Sequence, residues 1–408
     1  MAQAHKAWIV VISGLGVNLS LGVLYSWGVI SAALIDQLHW TATQTQIPYM
    51  LASAIFAVSM IPAGRLQDKY GPKIVLLFAS ILAGAGFILS GFALNVWGLS
   101  LFFGVVFGLS MGFGYASPSP AAVKWFHPKH RGLITGLVVS GFGLAPVYIA
   151  PLSNFLLSRF GLSSTFMILG VLFFCTLLFF SFVVKNPSAD HVPIVLKRSR
   201  GKESKSSVPD KDFFEMLKTK DFYLVWLMFL CGTFAGLKII GQMAKIGQEQ
   251  ASMENSFLLV IVYAIFNFLG RISWGSISDR IGRGLSLLLM FSIQVIVFMI
   301  FEFLTQPFTL LVGKSLIGFT FGGMLTVFPA ITADLYGTKH LGVNYGVMIT
   351  AWGVGGVLGP LLGGLTRDYT GDFRMSYFIA MLISVAGLLL SFVLIRRMKR
   401  IPGLAKTS

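Results

Sequence analysis

Long apolar stretches alternate with short polar ones along the whole chain, at about residues 8–35, 44–63, 74–94, 98–122, 132–155, 164–184, 221–246, 256–277, 285–304, 309–333, 342–365 and 375–395. Each approaches or exceeds the roughly 20 residues that a helix needs to cross a ~30 Å hydrocarbon core. The pattern predicts an all-α membrane protein of twelve transmembrane helices. The first run is too long for the core of a signal peptide and lacks a small-residue cleavage site, so it reads as helix one.

A polar stretch rich in Lys, Ser and Asp divides the spans six and six. The expected organisation is an N-terminal six-helix bundle (1–185), a cytoplasmic linker (186–220) and a C-terminal six-helix bundle with a basic tail (221–408). The halves repeat each other. Gly64-Arg-Leu-Gln-Asp68-Lys69-Tyr-Gly71-Pro-Lys73 returns as Gly275-Ser-Ile-Ser-Asp279-Arg280-Ile-Gly282-Arg283, a shift of 211 residues from Asp68 to Asp279. At nearly the same shift, Lys129-His130 matches Lys339-His340, Gly136 matches Gly346 and Gly143 matches Gly353. Because six spans is an even number, the duplication is parallel and predicts pseudo-twofold symmetry. Gly104, Gly108 and Gly112 in span four, and Gly355, Gly359 and Gly363 in span eleven, stand one turn apart and allow close helix packing.

Composition agrees: 55% of residues are hydrophobic and only 11% charged, with a mean hydropathy of +0.80, where soluble domains carry about 25% charged residues. The net charge of +16 could suggest nucleic acid, but the cations sort by side. With both termini in the cytoplasm, only Arg159, Lys245, Arg367 and Arg374 fall outside, and only Lys238, Arg271 and Lys314 fall within spans. That is the positive-inside rule, which argues for membrane lipid and against nucleic acid. Cys175 and Cys231 are isolated in spans, so neither a disulfide framework nor a metal cluster is expected. Glycine-rich fragments lack a preceding strand and a Lys-Ser/Thr pair, which disfavours a nucleotide-driven pump. No nucleophile, base and acid converge, so no enzyme and no cofactor are expected.

An ionisable side chain inside a span costs at least ~2.5 kcal/mol on insertion scales and marks a candidate functional site. Tyr263, Asn267 and Arg271 are spaced by four and share one face of span eight. A guanidinium stays charged and matches a carboxylate with two parallel hydrogen bonds. The acidic residues of the sequence all lie in loops or near span ends, so an anionic substrate is the expected occupant, with a structural arginine as the alternative. Lys238 reads either as positive potential near the substrate or as a proton carrier, and Lys314 as an interfacial anchor. The six histidines fall in loops or at span ends. Aromatic residues near the centres of spans are Tyr25, Tyr115, Phe142, Phe321, Phe328 and Trp352, with Tyr115 in a stretch broken by glycine and proline, Gly112 to Pro120.

The Gly-x-x-x-Asp-Lys/Arg-x-Gly loop, present in both halves and followed by Lys73 in one and Arg283 in the other, resembles the signature of the major facilitator superfamily. That resemblance implies alternating access, with Gly64, Asp68, Lys69, Gly71, Lys73, Gly275, Asp279, Arg280, Gly282 and Arg283 in two gating loops. Tyr25-Ser26-Trp27, Trp125 to Gly132, Asn344-Tyr345-Gly346 and the span-eight arginine resemble the bacterial oxalate/formate antiporter family and the related monocarboxylate transporters. By that resemblance Arg271 binds carboxylate, and Tyr25, Tyr115 and Phe142 line the pocket; the chain is expected in the bacterial inner membrane, functional as a monomer. Two departures matter. Oxalate carriers have a lysine in span eleven where this chain has Trp352, so a monocarboxylate such as lactate or pyruvate is expected. Animal monocarboxylate transporters have an aspartate where this chain has Asn267, which argues against proton relay there. Proton symport and carboxylate exchange both remain open, and a transporter-like receptor is the alternative from another class.

Overall fold

The computed structural model describes residues 2–127, 131–188, 194, 210–337 and 340–398. Most of the linker expected at 186–220 lies outside that set, as do Lys129, His130 and Lys339 of the repeat. The helices are α1 (Ala2–Leu21), α2 (Trp27–Leu38), α3 (Ala42–Tyr70), α4 (Pro72–Phe92), α5 (Val96–Leu99), α6 (Gly108–Ala116), α7 (Pro118–Val123), α8 (Arg131–Leu144) and α9 (Pro146–Val183). After the linker come α10 (Phe213–Leu217), α11 (Lys220–Gly241), α12 (Met243–Ala251), α13 (Phe257–Ile281), α14 (Arg283–Ile300), α15 (Pro307–Tyr336), α16 (Leu341–Met348), α17 (Thr350–Thr370) and α18 (Arg374–Met398). Among the described residues β-structure is limited to one bridge, Phe126 to Ile194.

Among the described residues eleven continuous stretches are long and apolar enough to cross a membrane, one of them 51 residues long, Leu133–Val183. Gly161 divides that stretch: its φ of 74° and ψ of −179° are non-helical and interrupt α9. Spans five and six therefore meet at Gly161, which gives the twelve expected spans. Two others are wound irregularly. Span one passes through a tight 3₁₀ turn at Gly22–Ser26, and span four through a π-helical segment at Ser100–Phe107. Such departures inside a helix often sit at functional positions.

The chain divides into two compact units, Met1–Ser26 with Ile47–Ser204, and Trp27–Gln46 with Lys205–Ser408. In the first, Gly104, Gly108 and Gly112 lie against α3: a Cβ at each would stand 3.2, 3.2 and 3.0 Å from the carbonyls of Pro48, Ala52 and Phe56. In the second, Gly355 and Gly359 lie equally close to the α11 backbone at Phe234. Both ladders therefore serve close packing. The segment 27–46 packs with the second unit. Gly28 lies against the α11 end, and the Gln46 amide donates to the Gly241 carbonyl at 3.2 Å.

The repeated loops carry the same backbone signature. Gly71 and Gly282, 211 residues apart, have φ of 79° and 93° and begin α4 and α14. Positive φ is strained for any residue with a Cβ, so both turns depend on glycine.

Candidate functional site

Arg271 lies on α13, half-buried, and its Nε donates to Asn267 Oδ1 at 3.1 Å. Helical side chains lean toward the preceding turn, which is why an i, i+4 pair can meet. Asn267 is itself fully buried and donates through Nδ2 to the Gly318 carbonyl at 3.5 Å. The α15 side closes the clamp, with Thr326 Oγ1 donating to the Arg271 carbonyl at 3.1 Å. Gly318 and Gly322 permit the contact, since a Cβ at Gly318 would stand 2.7 Å from the Tyr263 carbonyl and one at Gly322 would collide with that of Asn267. Tyr263, expected on the same face, is buried, with Phe321 at a ring separation of 6.5 Å. The second unit thus gathers Tyr263, Asn267, Arg271 and Phe321 on neighbouring faces of α13 and α15. Trp352, on α17, is buried at 3% exposure.

The first unit gathers aromatic rings. Tyr25, in the 3₁₀ turn, meets Phe142 of α8 edge-on at 5.2 Å, and Tyr115 of α6 meets Phe142 at 5.6 Å. Phe56 of α3 completes the cluster, 5.4 Å from Tyr115 and 5.9 Å from Phe142. Offset and edge-on rings are the favoured aromatic geometries. Phe56 was absent from the sequence-derived set. The internal repeat could have found it, because Phe56 and Asn267 correspond at the 211-residue shift and both offer their carbonyl to a glycine, Gly112 and Gly322. Phe142 and Trp352 correspond in the same way at a shift of 210. One half therefore carries rings where the other carries an amide and an indole.

Around Tyr115 the expected break is a one-residue interruption: α6 ends at Ala116 and α7 starts at Pro118, and Ser117 between them stays in the right-handed helical region at φ −90° and ψ −45°. Lys314, expected as an interfacial anchor, is instead fully buried at 0% exposure over the Phe301 ring. Hydropathy registers the cost of a lysine but not the face it occupies, and this one faces inward. Lys238 is buried too, at 3%, and donates to the Ser376 carbonyl. Cys231 is buried and Cys175 exposed, and no cluster of metal-ligating side chains exists among the described residues.

The two repeated loops differ in contacts. Arg283 pairs with Asp279 at 2.6 Å, donates to Ser278 Oγ at 2.6 Å and reaches Asp334 at 3.1 Å. In the first half, Lys69 lies over the Tyr70 ring and Lys73 over that of Phe182, at 5.1 and 4.9 Å. The side chain of Asp68 lies outside the described residues. Gly64 has no described atom within 4 Å of an added Cβ, whereas Gly275 has the Thr326 methyl at 3.2 Å. Arg280 is exposed.

Comparison with known proteins bears on this arrangement. The chain is 30% identical over 356 residues to YhjX of Escherichia coli, an uncharacterised MFS-type transporter, with 86% of each chain covered. It is 27% identical over 384 residues to the oxalate:formate antiporter of Oxalobacter formigenes, covering 93% of this chain and 89% of that one. It is 24% identical over 387 residues to monocarboxylate transporter 13 of Bos taurus, covering 93% and 87%. The fold is similar to that of a bacterial homologue of the human lysosomal transporter Spinster, inward-facing and unoccupied, with a TM-score of 0.68 at 15% identity over 95% of this chain and 96% of that one. The sequence profile of the Major Facilitator Superfamily matches residues 9–305 and 245–407, and this twelve-span chain belongs to that superfamily of membrane transporters.

Proposed function

We propose that this transporter carries small monocarboxylates of the lactate and pyruvate kind by alternating access, with Arg271 pairing the carboxylate. The observation that carries the reading is the Asn267–Arg271 hydrogen bond at 3.1 Å within a membrane-spanning helix. A permanently charged, planar group positioned by a buried amide is matched to a carboxylate and ill-suited to a cationic or neutral lipophilic cargo. The named cargoes of the antiporter and the monocarboxylate transporters support the same class. The single charge follows from Trp352, which stands where oxalate carriers place a second cation. Within the second unit Phe321 and Trp352 supply apolar surface for the short carbon chain, and within the first Tyr25, Tyr115 and Phe142 form a ring cluster that the same reading assigns to cargo.

A proton accompanies the anion in this reading, with Lys238 as the candidate charge or proton site, since Asn267 cannot titrate. Carboxylate exchange is the second reading, favoured by the relative named as an antiporter. Both termini face the cytoplasm on the positive-inside sorting of Lys and Arg, and the two loops from Gly64 to Lys73 and from Gly275 to Arg283 act in gating. The protein works as a monomer in the bacterial inner membrane, without cofactor or metal.

Uptake of a panel of labelled acids into proteoliposomes, with and without an imposed pH gradient, tests cargo and coupling together. Arg271→Gln abolishes uptake and Arg271→Lys leaves a small residue of it. Wild-type rates in either variant would sink the assignment, and binding without flux would favour a receptor.

A further inference from the structure

Two buried lysines meet at one cluster of rings, at the Pro307 end of α15. Lys314 Nζ lies 5.3 Å from the centre of the Phe301 ring. Lys238 Nζ lies 5.7 Å from that of Phe298 and 5.2 Å from that of Tyr377. The rings themselves are in contact, Phe298 with Phe301 at 6.0 Å and Phe301 with Tyr377 at 4.6 Å. The α17 ladder makes room for Lys238: a Cβ at Gly359 would stand 3.2 Å from its Cβ, and one at Gly363 would stand 3.3 Å from its Cγ. Tyr377 Oη donates to Gln250 Oε1 at 2.7 Å, and Gln250 Nε2 donates to the Phe301 carbonyl at 2.7 Å, which ties α12 to the rim of the nest.

The nest has donors in excess. Lys314 Nζ and Ser376 Oγ are buried with no hydrogen-bond partner among the described residues. Among the described residues Lys238 Nζ meets the Ser376 carbonyl and the two ring faces. Neither lysine forms an ion pair among the described residues. Cation–π contact offsets part of the cost of burying an ammonium, but an unpaired buried charge remains expensive.

The fold does not require a lysine at the Lys314 position. At the 211-residue shift, Phe298, Lys314 and Tyr377 correspond to Phe87, Phe103 and Phe166. In the first unit those three form a plain hydrocarbon core, with Phe87 5.6 Å from Phe103 and 5.8 Å from Phe166, all fully buried. The same architecture is therefore filled by phenylalanine in one half and holds a buried lysine, with no ion pair among the described residues, in the other.

We propose that Lys238, Lys314 and Ser376 form a second anion site, which holds one small monovalent anion, a halide or a short carboxylate, among the rings of Phe298, Phe301 and Tyr377. It is distinct from the Asn267–Arg271 pair, which meets α15 at the Gly318 carbonyl and at Thr326, four and twelve residues beyond Lys314, about 6 and 18 Å along the helix. The site does not depend on the cargo assigned to Arg271.

Thermal unfolding of the full chain in detergent tests it, with chloride or lactate titrated against gluconate at constant ionic strength. A ligand that binds only the folded state raises the Tm. The Tm of wild type and of Arg271→Gln rises by a few degrees, and that of Lys314→Met stays flat. A rise with chloride identifies a halide site, and a rise with lactate alone that survives Arg271→Gln identifies a carboxylate site. No rise with either anion, or an equal rise in Lys314→Met and Lys238→Met, overturns the proposal. If Lys314→Met fails to fold, wild-type crystals grown in bromide decide: an anomalous peak between the two ammonium groups supports the site, and its absence removes it.

Discussion

Asn267 Oδ1 accepts the Nε hydrogen of Arg271 at 3.1 Å, one turn nearer the start of α13, and so fixes the plane of the guanidinium. A hydrogen bond to a charged group contributes about 1.5–3 kcal/mol, so Asn267→Ala is expected to raise the KM for the acid roughly ten- to a hundred-fold. Under the carboxylate-binding role proposed for Arg271, Asn267→Asp lowers uptake further, because a carboxylate in that position pairs with the arginine in competition with the cargo. Initial-rate uptake in proteoliposomes measures both, and an unchanged KM in the alanine variant would show that Asn267 does not orient the arginine.

The contact between α13 and α15 depends on Gly318 and Gly322. A Cβ at Gly318 would press on the Tyr263 carbonyl at 2.7 Å, backbone that has no free end to move aside. Gly318→Leu is therefore expected to force the helices apart at an overpacking cost of about 1–3 kcal/mol, with a lower Tm and impaired uptake. Gly346→Ala is the control, since no described atom lies within 4 Å of an added Cβ there, and its Tm stays within a degree or so of wild type. Equal Tm values in the two variants would refute the close-packing account.

Arg283 joins Asp279, Ser278 and Asp334 at 2.6, 2.6 and 3.1 Å. Removing it leaves Asp334, only 27% exposed at its side chain, without that partner. Arg283→Ala is expected to lower stability by roughly 1–3 kcal/mol, and Arg283→Lys to recover part of this because a point charge reaches fewer acceptors than the fork. In the double variant Arg283→Ala with Asp334→Ala the loss is less than the sum of the single losses. Strict additivity in unfolding measurements would mean that the pair is not coupled.

The sequence carried the twelve spans and the two halves plainly, because the bilayer demands long apolar runs and the duplication leaves Asp68 and Asp279, or Gly71 and Gly282, at a fixed shift. The Asn267–Arg271 hydrogen bond was legible for a related reason, since a spacing of four places two side chains on one helix face. The inward burial of Lys314 was not legible, because a lysine two turns inside a span can snorkel outward or turn in, and only the packing of α14 against α15 decides. The association of 27–46 with the second unit was hidden as well. It rests on pairings such as Gln46 with Gly241, 195 residues apart, which no local pattern encodes. Phe56 escaped because an aromatic residue in a span usually just packs, and only its correspondence with Asn267 marks it.

The start of α3 shows how such a distant pairing can be tested. Thr41 and Gln44 form a reciprocal cap, with the Thr41 amide on Gln44 Oε1 at 2.9 Å and the Gln44 amide on Thr41 Oγ1 at 3.2 Å. The two amides between them, of Ala42 and Thr43, donate to the two carboxylate oxygens of Asp368, on α17, at 2.8 and 2.9 Å. Asp368 thus satisfies the donors that the local cap leaves, and its charge lies at the positive end of the helix dipole. Asp368→Ala is expected to cost about 1 kcal/mol and to loosen the attachment of 27–46 to the second unit, read as faster amide exchange at 42–46. Asp368→Asn keeps one acceptor oxygen and shows about half the effect. High salt weakens the wild-type contribution, because the carboxylate is exposed. Exchange at 42–46 that is unchanged in Asp368→Ala would show that the local cap alone holds this helix start.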